Sequence, residues 1–168
     1  VTGLSGNEIY CVALKHYTPG EIVVGNSVQS MGFLGGLVSG FKNMAGGEIG
    51  QVTEAIEAGR LMAFERMVAE AKREGAAGVT GVTGELMDFV GNTEFLFVGS
   101  CLQNDGQAPN RPFFTSAGSG QELYCNMDAG YAPLHHVFGN IAYSTGIGGG
   151  LLGGLKTLVR GEIAEFSN

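Results

Sequence analysis

Ser30-Met-Gly-Phe-Leu-Gly-Gly-Leu-Val-Ser-Gly-Phe-Lys-Asn-Met44 decides how this chain is read. Leu34, Leu37, Val38 and Phe41 recur at helical spacing, with Met31 and Met44 continuing the pattern. Gly32, Gly36 and Gly40 fall four apart, so on a helix they form a strip without side chains. Each helical glycine costs about 0.8–1 kcal/mol relative to alanine. Such a helix persists only where another backbone packs against the bare strip. The same device returns between Ser144 and Val159, with Gly146, Gly150 and Gly154 in the equivalent places. These six glycines are the predicted assembly positions.

Outward from that stretch, Asn7–Leu14 is rich in β-branched and aromatic residues and predicts a strand. Thr18-Pro-Gly20 predicts a turn, and Glu21–Val28 a second strand. A long helix is expected from Ile49 to about Glu74, with Ile49, Val52, Ile56, Ala63, Met67 and Ala71 on one stripe. Arg66 and Glu70 make an i,i+4 pair on its wet side, and Gly75 supplies a stop. Val79–Val90 and Glu94–Leu102 read as two further strands. Gln103–Pro112 is polar and rich in turn formers.

After that stretch the chain starts again. A shift of 114 positions aligns Ser5–Ile49 with Ser119–Ile163 without a gap, and 20 of the 45 positions are identical. Glu8-Ile-Tyr-Cys11 meets Glu122-Leu-Tyr-Cys125, and Gly25-Asn26 meets Gly139-Asn140. The expected organisation is a complete ββααββ unit over 1–102, a linker over 103–114, and a partial second unit over 115–168. The partial unit, a hairpin plus a glycine-rich helix, is too small to stand alone. It is completed outside this sequence or packs on another surface, most naturally in a ring or stack of units.

The first unit resembles the YbjQ-like family, a group labelled heavy-metal-binding and of unknown function. The resemblance spans Ile9–Gln103. It rests on Tyr10-Cys11, on Pro19-Gly-Glu21 before Ile-Val-Val-Gly-Asn26, and on Phe33–Gly47 with its closing double glycine. It continues through Ala58–Glu65, Ala71–Val79, Gly81–Val90 and Glu94–Cys101. The resemblance implies a small α+β subunit of YbjQ-like or dodecin-like topology that closes into a pentamer-like homo-oligomeric ring. It implies no activity. The second, truncated copy departs from the family pattern.

Composition excludes several function classes. A net charge of −7, with nine basic residues scattered singly, argues against nucleic acid and against an anionic membrane surface. The apolar runs Met31–Phe41 and Gly146–Leu155 fall far short of the ~20 residues of a membrane span. Three cysteines without framework spacing, and no visible targeting signal, predict reduced thiols in the cytoplasm. Gly149–Thr157 mimics a phosphate loop, but Leu155 separates the last glycine from Lys156. There is no G-x-S-x-G or H-E-x-x-H motif, and Glu54, Glu57, Glu65, Glu70 and Glu74 read as a solvated helix face. No cofactor is implied and no enzyme is expected.

Two function classes remain. One is a structural or interaction protein whose partner is itself. The other is a binder of heavy metal or a small ligand at subunit interfaces. Cys125 with His135 and His136 is the candidate ligand set, suited to a soft ion such as zinc or copper. The two histidines align with Glu21-Ile22 and so do not repeat, and neighbouring strand residues point to opposite faces. Cys101 is expected in the core.

Overall fold

The computed structural model describes residues 1–30, 47–48, 50–89, 92–141 and 143–144. The fold is α+β, and among these residues it comprises three α-helices, a mixed four-stranded sheet and a two-stranded ladder. The six predicted assembly glycines, Gly32, Gly36, Gly40, Gly146, Gly150 and Gly154, lie outside the described residues.

The first element is a helix, α1 (Gly6–Ala13), where the composition of Asn7–Leu14 predicts a strand. The reason is local. Ser5 and Glu8 form a capping box: the Ser5 hydroxyl accepts from the Glu8 amide, and the Glu8 carboxylate accepts from the Ser5 amide at 2.8 Å. Reciprocal capping satisfies two orphan donors of the first turn and outweighs a weak β propensity. Cys11 is therefore helical.

β1 (Tyr17–Ser30) absorbs the predicted turn at Thr18–Gly20 and the second predicted strand into one long strand. After the short β2 (Gly47–Glu48) comes α2 (Gly50–Arg73), close to the expected bounds, then β3 (Gly78–Phe89) and β4 (Asn92–Asn104). β5 (Phe114–Thr115) precedes α3 (Gly120–Asp128), and β6 (Tyr143–Ser144) follows. The sheet order is β1-β4-β3-β5. β3 and β4 are antiparallel, whereas β5 runs parallel to β3 through Gly78–Phe114 and Val79–Thr115. Contacts of Thr18 with Gln103, Gly20 with Cys101 and Asn26 with Glu94 run in opposite directions along β1 and β4. The β3–β4 register shifts between Thr80 and Thr83 around Gly81, whose φ of +64° suits the bulge.

The chain divides into two compact units. The first comprises Val1–Gln29 and Ala58–Phe138. Its core lies between α2 and the sheet: Ala63, Met67 and Ala71, spaced four apart, are fully buried, as are Val23, Phe95 and Phe97. Two glycines permit this close approach. A Cβ on Gly25 would lie 2.0 Å from the Ala63 carbonyl oxygen and 2.3 Å from the Met67 amide nitrogen. A Cβ on Gly59 would lie 2.5 Å from the Phe95 ring. Arg66 and Glu70 reach back to the strand instead of forming the expected pair with each other. The Glu70 carboxylate accepts from the Val24 amide at 2.7 Å, and the Arg66 guanidinium donates to the Asn26 carbonyl.

A second cluster, also in this first unit, joins Val12, Tyr17, Leu102, Ala108, Phe114 and Leu123. Tyr17 and Phe114 meet edge to face at 5.8 Å. The predicted linker is tightly hydrogen-bonded: the Asn104 side-chain oxygen accepts from the amides of Gly106 and Ala108. The second unit comprises Ser30–Glu57 and Gly139–Asn168, and within it β2 pairs with β6 antiparallel.

Candidate functional site

The three residues predicted as metal ligands stand in different surroundings. Cys125 is exposed on α3, a helix where the repeat of Asn7–Leu14 predicts a strand; Ser119 and Glu122 cap it as Ser5 and Glu8 cap α1. Cys125 lines a shallow groove with Ser116, Gly118, Gln121, Glu122 and Asn126. His135 and His136 line a different groove with Thr115, Pro133 and Leu134. His135 is exposed, whereas the His136 ring is half-buried.

His136 is held by backbone and by aromatic rings. Its amide donates to the Thr115 hydroxyl at 2.7 Å, while the Thr115 amide donates to the Leu134 carbonyl. Its imidazole lies 6.0 Å from the Phe64 ring, 6.3 Å from Phe97 and 6.2 Å from Phe138. Arg60 stacks over Phe138 at 4.8 Å. Burial, aided by the Arg60 charge, holds the imidazole below its ordinary value of 6.5. The folded protein therefore takes up this proton only at a lower pH than the unfolded chain. Stability from the neutral ring is complete above pH 6.5 and is lost as pH falls through the folded value. Chemical denaturation between pH 7.5 and 5 should show this loss, and His136→Phe should flatten it. An unchanged pH slope in the variant would remove the assignment.

Cys101 is buried, and burial, aided by Glu70, Glu74 and Glu21, pushes its thiol up to about 11. It is a protonated core thiol, as expected from its place in the sequence. Among the described residues, no group of three or more His, Cys, Asp or Glu side chains is placed to hold a metal ion.

The more informative geometry compares positions 114 apart. Val23 is 1% exposed under α2, whereas its equivalent Val137 is 84% exposed. A Cβ on Gly25 collides with helix backbone, whereas one on Gly139 meets nothing within 4 Å. Leu134 and Ile141 in the same segment are exposed as well, at 68% and 66%. Val137 is thus exposed where Val23 is covered, although its neighbours His136 and Phe138 pack on Phe64 and Phe97. Sequence reasoning missed Val137, although its alignment with Val23 was visible.

The profile of the family described as "Putative heavy-metal-binding" (YbjQ) matches residues 8–101, which run from α1 through most of β4. The chain belongs to the YbjQ family. A UPF0145 protein of Acinetobacter baylyi is 32% identical over 93 residues, covering 55% of this YbjQ-family chain and 86% of the relative. A UPF0145 protein of Vibrio parahaemolyticus is 35% identical over 85 residues, covering 49% of this chain and 79% of the relative. A longer match, 32% identical over 157 residues, is to a Mycobacterium tuberculosis protein named encapsulin nanocompartment protein. It takes in 87% of the YbjQ-family chain, which spans 57% of that relative's length.

The description raises a heavy metal, and the described donors do not suit one. Cys101 is protonated in the core, His136 is packed among phenylalanines, and Cys125 and His135 line two different grooves that have Ser116 in common. Among the described residues no helix is long and apolar enough to cross a membrane.

Proposed function

We propose that this YbjQ-family chain is a non-catalytic building block that associates with copies of itself into a ring or larger closed assembly. One observation carries the reading: Val137, identical to buried Val23 and aligned with it, is 84% exposed. Val137 is patterned to be covered, as Val23 is, and its exposure in a single chain calls for cover from another. Leu134, in the same unit, is an exposed apolar residue as well. A relative named for a nanocompartment supports assembly as the theme. Cytoplasmic location, like the ring and its pentamer-like order, belongs to this proposal.

Native mass spectrometry of the purified chain tests it. The wild type is expected as a discrete oligomer at micromolar concentration. Val137→Asp should dissociate it while changing the stability of the separated chain by under about 0.5 kcal/mol, as surface changes do. A wild-type monomer would overturn the proposal.

Binding of a heavy metal or small ligand at subunit interfaces is the alternative, favoured by the family description alone. Elemental analysis of the same preparation separates the two, because a structural assembly needs no stoichiometric metal.

A further inference from the structure

The helices α1 and α3 pack together, and they occupy equivalent places in the repeat. The contact between them is not symmetric. Glu8 of α1 accepts from the Gly120 amide at the start of α3 at 3.1 Å, and its Cβ lies 2.8 Å from where a Gly120 Cβ would be. At the other end Lys15 pairs with Asp128 at 2.7 Å and sits 4.8 Å from the centre of the Tyr124 ring. The α3 stripe Gly120, Tyr124, Asp128 is thus engaged by Glu8 and Lys15.

The equivalent stripe on α1 is Gly6, Tyr10, Leu14, and it is bare. Tyr10 is 67% exposed, Leu14 is 49% exposed, and a Cβ on Gly6 would meet nothing within 4 Å. The residues equivalent to Glu8 and Lys15 are Glu122 and Ala129, both exposed on α3 and the residue after it. One half of a used contact therefore lies open on each side of the chain. The chemistry matches as well. Within the chain a charged Lys15 meets a charged Asp128. In the open pair an apolar Ala129 would meet an apolar Leu14, so neither contact would bury an unpaired charge.

We propose that the Gly6–Tyr10–Leu14 face binds the Glu122–Ala129 side of α3 in a second copy of this chain, head to tail. Glu122 of that copy then caps Gly6 as Glu8 caps Gly120. The contact is heterologous, so copies add in one direction until the assembly closes. This deepens the self-assembly reading and rests on it.

The test uses the full chain in native mass spectrometry and concentration-dependent light scattering. Leu14→Asp and Ala129→Lys are each expected to raise the apparent dissociation constant about tenfold or more, by placing a lone charge in the contact. The double variant recreates the Lys15–Asp128 pairing between copies and should recover most of the loss. Gly6→Glu, which a single chain has room for, should also weaken association with an unchanged melting temperature of the dissociated chain. A wild-type monomer would overturn the self-assembly reading itself. A wild-type oligomer that keeps its mass in both single variants, or single variants that the double does not rescue, would overturn only this contact.

Discussion

Gly25→Ala should destabilise the first unit by about 3 kcal/mol or more, at the upper end of what overpacking costs. Alanine in a strand normally gains about 0.5–1 kcal/mol over glycine through backbone entropy. Here the added methyl would lie 2.0 Å and 2.3 Å from main-chain atoms of Ala63 and Met67. Neither atom can rotate away, so α2 must lift from β1. That shift would also stretch the bonds from Glu70 to Val24 and from Arg66 to Asn26. Gly139→Ala is the internal control: the same substitution at the aligned position meets open space and should leave stability unchanged or slightly raised. Urea denaturation followed by circular dichroism reads both. Equal midpoints for the two variants would refute the close approach of β1 and α2.

Phe97→Ala should cost about 3–5 kcal/mol, the range for removing a fully buried aromatic side chain. Phe97 is 1% exposed and meets Phe64 at 5.4 Å and Phe138 at 5.2 Å. Its loss would leave a cavity between α2, β4 and the segment carrying His136, and that segment would lose its main apolar anchor. Phe64→Ala, at a half-buried ring of the same cluster, should cost less. Denaturant titration measures the difference, and a Phe97→Ala loss below 1 kcal/mol would mean that the cluster contributes little.

Much of the architecture was legible. The apolar stripe of Ala63, Met67 and Ala71 defined α2, partial alternation marked β3, and a nearly continuous apolar run marked β4. One close backbone approach that the reading did not foresee occurs where the single strand residue Gly25 meets Ala63 and Met67 of α2; the glycine strips are a separate matter. Those predicted strips, at Gly32–Gly40 and Gly146–Gly154, fall outside the described residues. The first element was misread because Ile9, Tyr10, Cys11 and Val12 suggest a strand by composition. The signal for a helix was present in Ser5-Gly-Asn-Glu8, and again in Ser119-Gly-Gln-Glu122, where both capping boxes form. Capping is a pairwise feature three residues apart, and residue-by-residue propensity does not register it. Placing Cys125 on a strand, as the repeat of Cys11, followed from the same error. The half-buried position of His136 was not readable at all, since it depends on Phe64 and Phe97, which are distant in sequence.

The cluster around Val12, Tyr17 and Leu102 carries a consequence for biosynthesis. Its lid is made by Phe114 and Leu123, which leave the ribosome about a hundred residues after α1 has emerged. Until then the nascent N-terminus carries uncovered apolar surface, open to holdase chaperones. A chain cut at residue 101, the border of the family match, would leave Val12 and Tyr17 without Leu102, Phe114 and Leu123, and denaturant titration should find it less stable than the full chain.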